Sequence, residues 1–99
     1  MPASMYRYLF DKVVPGEEVE TTLVLSIFAI EALHGEAQTR LDAAHAFDRT
    51  RRALVIAAGT AVGLDLNRVF VSLASRQFGP GSFRIERVQE ESHPDPLSA

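Results

Sequence analysis

Between the Pro15-Gly16 break and Gly35 runs a stretch, Glu17 to His34, whose apolar residues occupy most of a helical circumference. Glu17, Glu18 and Glu20 crowd its start, where negative charge meets the positive end of the helix dipole, and Gly35 supplies a final position that needs no Cβ. The rival reading of Thr21 to Ile30 is a buried strand, because TTLVLSIFAI holds several β-branched residues and short apolar runs are ambiguous by periodicity. The acidic start, the continuation through Ala29, Ala32 and Leu33, and the glycine stop together favour a helix. A helix lying on a sheet in a lone subunit needs one apolar stripe, whereas Leu23, Val24, Leu25, Ile27, Phe28, Ala29, Ile30, Ala32 and Leu33 go most of the way round. That surplus predicts contact with a second chain, with Leu25, Phe28, Ala29 and Ala32 as the expected interface residues. The plainer alternatives are that the chain ends fold over this surface, or that Leu25 and Phe28 are simply exposed, as single apolar residues often are.

The chain has 99 residues, 46% of them hydrophobic and 23% charged, which is the size of one domain with one core. It contains no cysteine, so disulfide frameworks, thiolate metal sites and cysteine nucleophiles are excluded, and a reducing compartment suits it. Met1-Pro2-Ala3-Ser4 has no basic segment followed by an apolar stretch and does not read as a secretory signal, which makes the cytoplasm the expected location. The most apolar run, Leu23 to Ile30, falls far short of the roughly 20 residues that span a bilayer, so no membrane partner is expected. Ten Lys and Arg stand against thirteen Asp and Glu. Glu90, Glu91 and Asp95 all lie near the C-terminus, and the body is therefore neutral. A neutral body argues against a sequence-independent grip on nucleic acid, which depends on many cationic contacts to phosphate.

Periodicity elsewhere alternates. In Met5 to Val14, Tyr6, Tyr8 and Phe10 point one way and Arg7, Leu9 and Asp11 the other, predicting a strand. Glu36 to Phe47 alternates again, with Ala37, Thr39, Leu41, Ala43, His45 and Phe47 on one side, and reads as a second strand despite its alanines. A polar break at Asp48-Arg49-Thr50-Arg51 precedes Ala53 to Ala58, a short apolar run suited to an interior strand. Thr60 then caps a helix in which Val62, Leu66, Val69, Phe70 and Leu73 form the apolar stripe, with Asp65, Asn67, Arg68 and Ser72 off it. Gly79-Pro80-Gly81 stops that helix, and Ser82 to Val88 alternates as a fourth strand.

The order strand, helix, strand, strand, helix, strand resembles the split βαβ pattern of the ferredoxin-like fold. The resemblance implies an α+β sandwich, βαββαβ, with a four-stranded antiparallel sheet, both helices on one face, and the first and third strands central. Residues 5–88 form this single domain, with a flexible N-terminus over 1–4 and a disordered tail over 89–99. Arg40, Asp42, Arg84 and Glu86, with Arg7, Leu9 and Asp11, are expected on the open sheet face. That surface mixes both signs and lacks the aromatics on which an RNA-recognition sheet stacks bases.

No candidate chemistry rises above its bland alternative. Glu31 and His34 have the Glu-x-x-His spacing of di-iron bundles, but only one such motif is present, and no metal or other cofactor is expected. His45, with Arg40 and Asp42 near in sequence, offers a composite small-molecule site whose geometry the sequence does not give. Thr60 and Gly63 join a strand to a helix and could hold an anion on backbone N–H groups, although the P-loop spacing and its lysine are missing. Arg49, Arg51 and Arg52 make a small cationic knob at a hairpin turn, the one place a nucleic acid would be met. A copper chaperone of this topology needs a paired-cysteine loop, and an acylphosphatase a glycine-rich phosphate loop; neither is here. The sequence therefore reads as a non-enzymatic interaction module that dimerises or docks through its apolar first helix, with a site near His45 as the catalytic or ligand-binding alternative.

Overall fold

Alternation over Tyr6, Tyr8 and Phe10 is built as a strand, β1 (Ser4–Phe10), in the computed structural model, which describes residues 4–89. It is followed by α1 (Gly16–His34), α2 (Glu36–Asp42), β2 (His45–Asp48), β3 (Ala53–Ala57), α3 (Ala61–Phe78) and β4 (Phe83–Gln89). A single 3-10 turn over Pro80–Ser82 leads into β4. The strands make one four-stranded antiparallel sheet in the order β2-β3-β1-β4, so β1 and β3 lie inside and β2 and β4 at the edges. The chain is an α+β protein with three helices among the described residues.

Register fixes what each face carries. Tyr8 stands opposite Leu54 on one side and Ile85 on the other, and Tyr6 opposite Ile56 and Arg87; directly opposed side chains share a face. Tyr8, Phe10, Leu54 and Ile56 from the sheet and Val62, Leu66, Phe70 and Ala74 from α3 are buried together with Val19, Leu23 and Ile30 of α1. The Tyr8 and Phe70 rings meet edge to face at 5.0 Å, the arrangement that their quadrupoles prefer. Phe10 does the same with Phe78 at 6.1 Å. Arg7, Leu9, Ala53, Val55, Arg84 and Glu86 occupy the opposite, open face by the same registers.

Two expectations need correction. The first strand stops at Phe10 rather than Val14: Val14 N–H donates back to the Asp11 carbonyl, a turn that leaves Val13 exposed and carries Val14 into the core. The strand expected over Glu36 to Phe47 is helix α2 followed by a short β2, because Ala, Gln, Arg and Leu are good helix formers whose chance alternation mimics a strand. Helical spacing also provides partners that a strand would separate. Arg40 pairs with Glu36 at 3.1 Å, Gln38 donates to Asp42 at 2.6 Å, and the buried Thr39 hydroxyl donates to the Gly35 carbonyl at 2.8 Å. Arg40 and Asp42 consequently leave the open sheet face, and Leu41 points to solvent instead of the helix layer. Gly35, at φ 85°, is the hinge that ends α1 and begins α2. Of the expected flexible terminus and disordered tail, all but Ser4 and Gln89 lies outside the described residues; those two face each other across β1 and β4.

Candidate functional site

Helix α1 is apolar on its outside and partly polar within. Its buried positions are Val19, Thr22, Leu23, Ser26 and Ile30, so two hydroxyl side chains sit where an amphipathic helix would place large hydrocarbons. Both are satisfied locally. Ser26 donates to the Thr22 carbonyl at 2.7 Å, and Thr22 donates to Gln77 Oε1 of α3 at 3.1 Å. The face turned to solvent carries Val24, Leu25, Phe28 and Leu33, between 46% and 70% exposed, with Ala29 and Ala32 among them. From Thr21 to Ile30 no residue is charged. Ala37 and Leu41 of α2 are exposed as well, Leu41 to 78%. All four residues expected at an interface, Leu25, Phe28, Ala29 and Ala32, thus lie on one continuous open surface.

The other candidates do not converge. Arg40 lies on the exposed side of α2, engaged with Glu36, and His45 is exposed on edge strand β2, on the helix side but opposite Ile56 at the rim. Thr60 Oγ1 accepts from Gly63 N–H at 3.0 Å, an ordinary helix cap. A Cβ on Gly63 would run into the Ala57 carbonyl, which accounts for the glycine by the close approach of α3 to β3. The three arginines of the hairpin are each held within the chain. Arg49 grips Glu20 with two bonds, at 2.6 and 3.2 Å, Arg51 lies 3.8 Å from Asp48, and Arg52 donates to the carbonyls of Asp11 and Lys12.

His34 reaches not Glu31 but Asp65 of α3, at 2.9 Å, and Asp65 also meets Arg68 at 3.3 Å. The hydrogen bond from His34, reinforced by Arg68, holds the Asp65 carboxyl below its ordinary range. Among the described residues no three His, Asp or Glu side chains gather to hold a metal ion. No helix among them is long and apolar enough to cross a membrane. Neither of two open hollows includes Arg40 or His45. One, of about 410 Å³, lies between α3 and β4 beside Tyr6, Leu64, Arg68, Val71 and Ile85. The second, of about 420 Å³, lies on the open sheet face, where the pairs Arg7–Glu86 and Asp48–Arg51 engage its charges.

Comparison with protein-family models, with curated proteins and with solved structures finds no match to this chain. Its own surface is what bears on function.

Sequence reasoning overlooked one internal site. Asn67, placed off the apolar stripe, is buried and joins β1, β3 and α3 through Tyr8, Ala57 and Gly63. Its spacing from Val62, Leu66 and Phe70 carries no mark that separates a buried asparagine from a solvated one.

Proposed function

We propose that this chain is a self-associating interaction module of the cytoplasm, without catalytic activity of its own, that pairs with a second copy through the outer face of α1. The observation that carries this reading is the inversion of α1: Leu25, Phe28 and Leu33 face solvent while Thr22 and Ser26 are buried. A monomer gains nothing from that distribution, because exposed hydrocarbon contributes no burial and contiguous apolar patches favour association. A second copy fits the patch for three reasons. A two-fold interface brings a surface against itself, and this one carries no charge along its middle that would be desolvated without a partner. Small Ala29 and Ala32 between the larger Leu25, Phe28 and Leu33 provide the holes that identical knobs fill. An antiparallel pairing also keeps the glutamates at the two α1 starts, Glu17 and Glu18, apart, whereas a parallel one sets them together. A stable interface of about 800 Å² per partner is larger than one helix stripe supplies; exposed Ala37 and Leu41 of α2 are apolar surface with which to extend it.

The fold behind this surface is read as a ferredoxin-like sandwich whose first crossover has gained helix α2. The interior position of β1 and β3 and the antiparallel pairing throughout support that reading. The cytoplasmic placement is supported by the absence of cysteine. Sedimentation equilibrium tests the assembly. The wild-type mass is expected above 10.9 kDa, falling when Leu25→Glu and Phe28→Glu are combined. A wild-type chain that stays at its monomer mass at high concentration, or a mass that the substitutions leave unchanged, overturns the proposal.

A further inference from the structure

We infer that β4 is a second self-recognition element, whose outer edge, unpaired among the described residues, pairs antiparallel with the β4 edge of another copy about a two-fold axis at Ile85, joining two sheets into one. The surface is distinct from α1, and the inference does not depend on the reading of that helix.

The backbone is presented correctly for this. Ser82 accepts from Asp11 N–H across the sheet, so by strand alternation Arg84, Glu86 and Val88 direct their backbone groups at β1, while Phe83, Ile85 and Arg87 direct theirs at the open edge. Edge strands of this kind are templates for pairing, and charges on them ordinarily prevent it. Here the charges favour the Ile85 register over its immediate neighbours. With Ile85 opposite its own copy, Arg84 stands opposite Glu86 of the other chain, and Phe83 opposite Arg87, each twice over. Moving the axis by one residue in either direction opposes Glu86 to Glu86 or Arg84 to Arg84, and a further step on the Glu86 side opposes Arg87 to Arg87. Like charges directly opposed are destabilising, so the neighbouring registers are disfavoured.

The side chains needed keep capacity for a further partner. Arg7 places both of its contacts, at 3.0 and 3.1 Å, on Glu86 Oε1, and Oε2 has no partner among the described residues. Arg84 and Arg87 form no ion pair among those residues either. In the inferred register Arg84 and Glu86 oppose each other as a non-hydrogen-bonded pair, the type in which side chains lie closest. On the helix side, Ile85 is 44% exposed although Tyr8, opposite it on β1, is fully buried. The hollow between α3 and β4 borders it, so a second Ile85 arriving there covers apolar surface that α3 leaves bare. Arg87 then lies over the Phe83 ring of the other copy, a favourable cation–π position.

The decisive experiment starts from the full chain carrying Leu25→Glu and Phe28→Glu, which removes the α1 surface from consideration. At the high concentrations used for NMR, the amides of Phe83, Ile85 and Arg87 are expected to exchange more slowly as concentration rises, while those of Arg84 and Glu86 stay constant. Adding R84E or E86R alone abolishes that concentration dependence, since each opposes like charges. Mixing the two variants one to one restores it, because a mixed pair sets an acidic side chain against a basic one at both crossing points. Ile85→Pro, which removes an outward N–H and no bond to β1, abolishes it without relying on the fold of E86R, where Arg7 loses its partner. Amides at the edge that exchange freely at every concentration, or a mixture no different from its components, overturn the inference and leave the α1 proposal untouched.

Discussion

Tyr8 donates a 2.6 Å hydrogen bond from its buried hydroxyl to Asn67 Oδ1, tying the central strand to α3 inside the core. The Asn67 amide nitrogen donates in turn to the carbonyls of Gly63 at 2.8 Å and Ala57 at 3.2 Å. One side chain thus satisfies groups from three elements, and burial pushes the Tyr8 phenol above its ordinary value. Tyr8→Phe keeps the ring contacts with Phe70 but leaves Oδ1 buried without its donor, a loss of about 1–3 kcal/mol. Thermal unfolding is expected to fall by roughly 4–8 °C for each kcal/mol in a domain of this size. An unchanged midpoint would show that the bond contributes nothing net.

Gly63 is held by space. A methyl group there meets the Ala57 backbone carbonyl, which cannot move without disturbing β3. Gly63→Ala gains helix propensity of about 1 kcal/mol yet is expected to lower stability, because forced overpacking costs about 1–3 kcal/mol and displaces the α3 start. Urea denaturation decides the sign. A stabilised variant would mean that α3 shifts freely over the sheet.

The contact of His34 with Asp65 sets an acid limit. A carboxyl whose folded pKa lies below its unfolded value adds stability that is complete above the unfolded pKa and is lost as pH falls through the folded one. Asp65, ordinarily near 3.8, is lowered chiefly by the His34 hydrogen bond, so its contribution belongs to neutral and mildly acidic pH and disappears below that range. Glu20, lowered by its hydrogen bond with Arg49, acts in the same direction. Unfolding curves of wild type and His34→Ala across the range of about pH 2–6 are expected to converge at the acid end and separate above it; parallel profiles count against the coupling.

How much of this could be read from residues alone depends on whether a pattern has one physical cause or several. Tyr6, Tyr8 and Phe10 alternate with Arg7, Leu9 and Asp11 and have the β-propensity that makes a strand, and Thr60 through Phe78 combines a cap, a stripe and a glycine stop. In both, local preference and burial agree. Over Ala37 to Leu41 they do not: alternation is satisfied by accident, while the helix formers, the Glu36–Arg40 pair and the Thr39 hydroxyl act together only after the chain turns at Gly35. The surplus of α1 was visible as a count of hydrocarbons around a wheel, but not its orientation. Inward, Thr22 bonds to Gln77 of α3 and Ser26 to a carbonyl of its own helix, and no periodicity reveals that these two hydroxyls are satisfied there.

Orientation gives the last prediction its force. Phe28 is 59% exposed and Ser26 fully buried, so of two substitutions two residues apart on one helix, one should have an effect that depends on protein concentration and the other should not. In Phe28→Glu the isolated subunit loses little, since surface changes stay within about 0.5 kcal/mol, and its thermal midpoint at micromolar concentration should match wild type. Association stabilises only the folded form and raises the midpoint with concentration; that rise should be weaker in Phe28→Glu. Ser26→Leu instead forces a larger side chain into the buried face of α1, at a cost of about 1–3 kcal/mol, and should lower the midpoint equally at every concentration. If Phe28→Glu were the variant with a constant deficit, its ring would be part of the subunit's own core, and the outward face of α1 would have no claim to a partner.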